Sequence, residues 1–520
     1  MGWNRTFPLE IAPEALLTTL VADERLAQAV SRPDGDEKGD EGMILPRSVP
    51  VRRETLAVRA QEVLHRNDMG GWTRAAPELY PHQWSWDSAF IAIGLAHLDT
   101  RRAARELESL FQHQWNTGKV PHIVFNPEAP PESYFPGSDH WACAAASPDA
   151  PPAPPYTSCL CQPPVHAIAA LRVWKVAERN GGEEAAAARA FLREIYPRLV
   201  LWHGYLLSYR DPEGSGLVTI FHPWESGTDN SPRWDTSLAA VEVGDLAPYP
   251  RHDLQHVANA SQRPTDADYD RYLWLVKLIK KAGCDEKSIY RSHPFLVKDA
   301  LFSAILVAAN EALLEIAGLV GGRVEDRALI AQWIERGRRG LARCWDAELG
   351  LCLDYDLRAG RALPAHTVAG FAPLVAGGLR PRRLANLLET LLSPSFIGHP
   401  ALGRPLAPST SPNDPGFNPR SYWRGPVWPV IDWLLWWALA RAGEYQLAER
   451  LRESSLEQIA EEGFAEYFEP FTGEPLGSPE QSWTAAVVLD WLRGDDPTRA
   501  EVEAGEERHD RARGMLKYVV

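Results

Sequence analysis

Apolar residues recur with a period near 3.6 from residue 54 almost to residue 492, and this long succession of helical segments is what most limits the fold. The pattern predicts helices near 54–65, 86–98, 101–114, 164–179, 184–208, 268–281, 295–317, 324–345, 365–376, 381–392, 427–441, 444–461 and 481–492. Strand-like alternation is confined to short stretches, "GLVTIF" at 216–221 and "GLCLDYD" at 350–356. Three helix starts, "QWSWDSAFIAIGLAHL", "RGPVWPVIDWLLWWAL" and "EQSWTAAVVLDWL", share a tryptophan in the first turn with small or aliphatic residues behind it. A helical hairpin cannot bury its apolar face alone, so about a dozen helices with this weak repeat are best satisfied by a closed ring of pairs. The expected class is therefore all-α, an (α/α)6 barrel or toroid with long active-site loops and small β-hairpins. Its tryptophan-bearing helix starts should point to one end.

The two ends of the chain break the pattern. "SRPDGDEKGDEG" is an acidic, Gly-containing connector, so 1–45 reads as an N-terminal extension, 46–495 as the barrel domain and 496–520 as a charged tail. "SPDAPPAPP" at 147–155 reads as a stiff loop. With 54 Lys and Arg against 69 Asp and Glu, the net charge is −15, which repels nucleic acid and anionic lipid over most of the surface. Neither nucleic acid nor membrane is expected as a partner. The start "MGWNRTFPLEIAPEALL" lacks the basic segment and apolar run of a secretory signal, which points to the cytoplasm. The apolar stretch "VWPVIDWLLWWALA" at 427–440 is too short to span a bilayer and carries Pro429 and Asp432, so it reads as a core helix. Six cysteines lack the paired spacings of zinc sites and read as buried free thiols. No metal and no cofactor is expected; a homo-oligomer is compatible with the sequence.

The chain holds 20 tryptophans, several in loops beside carboxylates, and this invites a ligand with flat apolar faces and a polar rim. Sugars fit that description. Trp274, Trp436 and Trp437 sit inside apolar helical runs and read as core, whereas Trp84, Trp86, Trp224, Trp423 and Trp428 are flanked by Gly, Pro or polar residues and read as ligand-facing. Hydrolysis of a glycosidic bond needs one protonated and one ionised carboxyl group on opposite sides of that bond. In "FHPWESGTDNSPRWD" at 221–235, Asp229 can project from a turn beside Trp224 and Trp234, with Glu225 and Asp235 as competitors. In "GFAEYFEPFTGEPLG" at 463–477, either Glu466 or Glu469 could be the second group. Spacing alone does not decide between them.

The ordered motifs "YPHQWSWDSAF", "ESGTDNSPRWD", "YWRGPVWP" and "EYFEPFTGEPLG…SWTA" resemble glycoside hydrolase family 63, and more closely its bacterial mannosylglycerate and glucosylglycerate hydrolase branch, over roughly residues 50–495. The resemblance implies an (α/α)6 barrel and inverting cleavage of an α-glycosidic bond in a small glycoside, glucosylglycerate or mannosylglycerate, to hexose and glycerate. By motif position it makes Asp229 the general acid and Glu466 the general base. It implies that Tyr80, Trp84, Asp87, Trp224, Tyr422, Trp423 and Trp428 line the sugar subsite, and that Gln162, Arg263 and Tyr269 hold glycerate. It also sets His122 and Tyr134 on a mobile loop over the site. The extension before residue 45 and the cysteines of "TSCLCQPP" depart from the branch and bear on the aglycone end, not on the reaction type. Two rival readings are an α-glucosidase of the same family acting on neutral oligosaccharides, and a sugar-binding barrel without catalysis. Intact motifs around Asp229 and Glu466 speak against the second rival.

Overall fold

The computed structural model describes residues 53–494 apart from 256 and 258. The expected N-terminal extension at 1–45 and charged tail at 496–520 lie outside the described residues. Within them, twelve helices form two concentric layers: α1 (Arg53–Asn67), α2 (Ser85–Leu95), α3 (Thr100–Gln112), α4 (His166–Asn180), α5 (Gly182–Tyr209), α6 (Ala300–Val320), α7 (Val324–Arg343), α8 (Ala372–Ala376), α9 (Pro381–Leu392), α10 (Pro429–Arg441), α11 (Tyr445–Glu462) and α12 (Ser482–Arg493). The inner ring runs α2, α4, α6, α8, α10, α12, each packing on the next, and α12 packs back on α2 to close it. Outside it, α3, α5, α7 and α11 each cover the inner helix that precedes them, and α1 covers α12. This is the (α/α)6 barrel. Closure gives every inner helix two flanking inner neighbours and an outer layer, so α2 can bury every residue from Ser85 to Leu95. Gly94 is required there, since a Cβ at that position would stand 2.3 Å from Ala486 Cα of α12.

All thirteen predicted segments hold helix. Twelve build the barrel, and the segment expected at 268–281 is a helix, Asp266–Lys281, among the loops at one end, packed on the short helix Cys143–Ala146. Two boundaries moved for local reasons. The helix expected from 295 starts at Ala300 because Val297–Lys298 pairs as a strand and the Asp299 carboxylate caps by accepting from Phe302 N at 3.0 Å. The helix expected over 365–376 is a 3-10 turn, Val368–Phe371, followed by the five residues of α8, which Gly377 ends at φ +67°. Both predicted strand stretches contribute to one antiparallel four-strand sheet, Thr219–Ile220, Val297–Lys298, Asp354–Asp356 and Arg361–Leu363 in that order. The residues at 147–155 form a loop, and "VWPVIDWLLWWALA" gives the core helix α10; the longer apolar helix is α6, itself buried in the ring. Trp436 is core as expected, while Trp274 and Trp437 are only partly buried against it.

Candidate active site

The loops that enter α2 and α12, and those that lead into the hairpins, meet over one end of the ring around a deep cavity. Tyr80, Trp84, Trp86 and Asp87 line it from the start of α2; Trp224, Gly227 and Asp229 from the 221–235 loop; Glu466, Gln481 and Trp483 from the approach to α12. The three tryptophan-led helix starts therefore do share one end, where Trp86 meets Trp483 edge to face at 5.6 Å and Trp428 meets Trp483 at 5.9 Å.

The 221–235 loop is tied down from several sides. Asn230 accepts from Trp423 N at 2.8 Å, the Tyr272 hydroxyl donates to Asp229 O at 3.1 Å, and Arg233 donates to the Thr228 hydroxyl at 2.7 Å. Gly227 lies at φ +71° where a Cβ would stand 2.7 Å from the Trp86 ring, so only glycine lets the loop settle on that wall. These ties aim Asp229 into the cavity. Enclosure by protein pushes its carboxyl from the usual aspartate range up to about 7; Arg263 pulls against this and the charge of Glu466 adds to it. The competing acids of the same loop lie elsewhere. Glu225 is fully buried beneath it, where it accepts from Arg210 at 2.7 and 2.8 Å, from Phe221 N at 2.6 Å and from Cys161 N at 3.2 Å. Burial pushes Glu225 up, but Arg210 and these donors together hold it below the ordinary glutamate value. Asp235 faces outward and pairs with Arg424 at 2.7 and 2.8 Å.

Glu466 is buried just before the strand Tyr467–Phe468. Its Oε1 accepts from the Tyr80 hydroxyl at 2.8 Å and its Oε2 from Ser478 N at 3.0 Å. The second bond depends on Gly477, at φ +71°, where a Cβ would stand 2.4 Å from Glu466 Oε2. Burial raises the Glu466 carboxyl, opposed by Arg263, Ser478 N, Tyr80 and Tyr422. Glu469 turns away from the cavity and accepts from Phe471 N, Thr472 N and the Thr472 hydroxyl at 2.9, 2.5 and 2.7 Å, closing its own turn. A third carboxyl, Asp87 in the first turn of α2, is raised well above its ordinary range by burial and by the charges of Glu466 and Asp229.

Trp84 and Trp224 are walls of the cavity, as is Tyr422, whose backbone is held at φ +39°, an unusual conformation for an aromatic residue. Trp423 and Trp428, expected along the sugar subsite, are not on the wall. They stack face to face at 3.6 Å in a layer behind it, each 1% exposed, with Trp428 Nε1 bonded to Tyr422 O at 3.2 Å. Their stacking buttresses the strained Tyr422 and leaves no face for a ligand. Tyr134, Gln162, Arg263 and Tyr269 also line the cavity. Gln162 accepts from Trp86 N at 3.3 Å, and the Tyr269 hydroxyl donates to Phe135 O at 3.2 Å. His122 also lines the cavity but is no part of an open loop: it is 2% exposed, hydrogen-bonded to the Ser158 hydroxyl, and its carbonyl accepts from Ser85 N at 2.9 Å beside the strand Ile123–Val124. Tyr134 packs edge-on against Trp84 at 5.3 Å.

Several wall residues were not foreseen. Trp483 stood in the "SWTA" motif and Gln481 in the helix start "EQSWTAAVVLDWL"; His252 and Asp253 sit in a polar loop with no signal that separates them from solvated acids. Among the described residues, no group of three or more acidic, His or Cys side chains could hold a metal ion.

The mannosylglycerate hydrolase MGH1-like glycoside hydrolase domain matches residues 80–484, a span that holds Asp229, Glu466 and the other cavity residues named above. The chain belongs to that family. Members similar to it include the glucosylglycerate hydrolase of Mycolicibacterium hassiacum, 47% identical over 84% of this chain and 97% of that one. The mannosylglycerate hydrolase of Thermus thermophilus is 42% identical over 84% of this chain and 100% of that one. A crystal structure of the GH63 mannosylglycerate hydrolase from another strain of Thermus thermophilus, in complex with Tris and D-glycerate, superposes with TM-score 0.77 at 40% identity, covering 84% of this chain and 100% of that one. That crystallised enzyme in complex with glucose gives TM-score 0.74. This family member is thus a glycoside hydrolase built on the toroid.

Proposed function

We propose that this hydrolase cleaves the α-glycosidic bond of glucosylglycerate or mannosylglycerate with inversion, Asp229 protonating the leaving oxygen and Glu466 activating water. One observation carries the reading: two carboxyls share a cavity, Glu466 with a donor on each oxygen and Asp229 without a side-chain donor among the described residues. Donors favour the charged form, so Glu466, bonded by Tyr80 and Ser478 N, suits the base. Asp229, raised to about 7, keeps its proton near neutral pH and suits the acid. Arg263 in the cavity wall supplies a cation for a carboxylate-bearing aglycone, and the names of the relatives agree with such a substrate. Trp84 and Trp224 offer faces to the hexose.

Purified protein incubated with glucosylglycerate, mannosylglycerate, kojibiose and nigerose tests the substrate class. Release of hexose from the glycerate glycosides, with the neutral disaccharides turned over at least tenfold more slowly, is the expected result; the reverse order would establish the α-glucosidase reading instead. Proton NMR of the first-formed sugar should show the β-anomer. Initial α-anomer would mean retention and remove the water-activating role from Glu466.

A further inference from the structure

The guanidinium at the aglycone end does not stand alone. Arg263 Nη1 donates to the Tyr80 hydroxyl at 3.1 Å, and the same hydroxyl donates to Glu466 Oε1 at 2.8 Å. The guanidinium also lies 4.2 Å from the Tyr422 ring centroid, and the Tyr422 hydroxyl is 3.1 Å from that of Tyr80. On its other side, Arg263 Nε is 3.5 Å from Asp253 Oδ2, a carboxylate that Arg251 already holds through two bonds of 2.9 Å. One cation therefore stands between the aglycone end and the carboxylate proposed as base. A cation behind a tyrosine polarises its O–H and strengthens the bond that hydroxyl gives to a carboxylate.

We propose that Tyr80 and Arg263 couple occupancy of the aglycone end to the basicity of Glu466: an anionic aglycone draws the guanidinium onto its own carboxylate, loosens its hold on the Tyr80 hydroxyl, and makes Glu466 the stronger base while the glycoside is bound. The substrate class rests on the function proposed above. A neutral glycoside leaves Arg263 on Tyr80 and meets a weaker base, so anion selectivity acts on kcat as well as on KM. The groups facing Glu466 set the sign. Burial raises its carboxyl and Arg263 is the largest opposing influence, followed by Ser478 N, Tyr80 and Tyr422, while Asp229 and Asp87, both raised, are the other carboxyls nearby. Relief of the Arg263 influence moves Glu466 upward, and an upward shift on binding means net proton uptake.

D-glycerate titrated calorimetrically into the protein between about pH 5 and pH 8, in pairs of buffers with different ionisation enthalpies, reads this uptake directly. Wild type should take up protons as glycerate binds, and Tyr80→Phe and Glu466→Gln should each at least halve the uptake while still binding glycerate. Uptake that stays above half the wild-type value in either variant would assign it to Asp229 or Asp87 acting through space and overturn the coupling. Binding without uptake in wild type, no binding of glycerate by wild type, or loss of binding in both variants would overturn it as well. Uptake with the expected pattern in a protein that fails to hydrolyse either glycerate glycoside would sink the proposed reaction and leave the coupling standing.

Discussion

Within one loop, Glu225 and Asp229 are both enclosed by protein, yet one is held below and the other well above the ordinary carboxylate range. Burial acts on both in the same direction. The difference is the company: Glu225 receives a two-bond guanidinium and two backbone N–H groups, whereas Asp229 lines the cavity with a backbone N–H and the charge of Arg263 pulling against burial. Enclosure alone therefore does not set the charge; enclosure without a paired guanidinium leaves the proton on. The floor of the loop is built to keep a charge, its rim to keep a proton.

The largest effect should follow from removing the rim. Asp229→Asn and Glu466→Gln are each expected to lower kcat by about 10³-fold or more, since each would remove one half of an acid and base pair. Steady-state kinetics with unchanged helical circular dichroism checks this. A variant within tenfold of wild type would strip that residue of its role. The wild-type rate should be bell-shaped in pH, falling on the alkaline side as Asp229 loses its proton near 7.

Breaking the floor should cost folding instead. Glu225→Gln leaves Arg210 buried with its charge unanswered by Glu225, though still beside Glu286 at 3.4 Å, and a buried pair broken on one side costs about 3–5 kcal/mol. Denaturant unfolding at pH 7 should show this as a lower midpoint with unchanged slope. The sign with pH is fixed by direction: a carboxyl lowered on folding adds stability above its unfolded value, about 4.3, and that stability is lost as pH falls through the folded value. The gap between wild type and variant should therefore narrow in acid.

Asp229→Asn should do the opposite to stability. An acid raised to about 7 makes the folded state pay for ionisation: its contribution is intact below about pH 4 and is lost as pH rises to 7. The neutral variant escapes that loss. It should be more stable than wild type by about 2 kcal/mol above pH 7, roughly half the full linkage value because cavity water screens the group, and equal to it below pH 4. Thermal unfolding across this range decides it, and equal midpoints at all pH values would contradict the raised carboxyl.

The ring of helices was legible because burial imposes a period on every segment, so all thirteen segments were placed from apolar spacing. Boundaries failed where a tertiary partner intervened, as at Val297–Lys298, whose strand neighbours lie at Thr219–Ile220 and Asp354–Asp356. In the site, turn chemistry around Asp229 and Glu466 was visible, but what separates Asp229 from Glu225, or Glu466 from Glu469, is a donor contributed from elsewhere. Arg210 follows α5, and Tyr80 lies 386 residues from Glu466. Spacing carries no record of such pairings. Trp423 and Trp428 misled for the same reason: a Gly and Pro setting marks a turn, but whether the indole faces a ligand or another indole depends on the fold.

Asp235, the third acid of the loop, provides the control with the smallest effect. It makes bonds as short as those of Glu225, to Arg424 at 2.7 and 2.8 Å, and if bond length decided the outcome its loss would cost as much. Its side chain is 49% exposed, however, so water compensates both charges once the pair is broken. Asp235→Asn should cost less than about 1 kcal/mol at low salt, and less again at high salt. Hydrolysis should stay within about twofold of wild type, because Asp229 is held by Asn230, Tyr272 and the Gly227 turn, not by Arg424 alone. A loss comparable to that of Glu225→Gln would mean that the outer face of the loop, and not its buried floor, is what holds the acid in place.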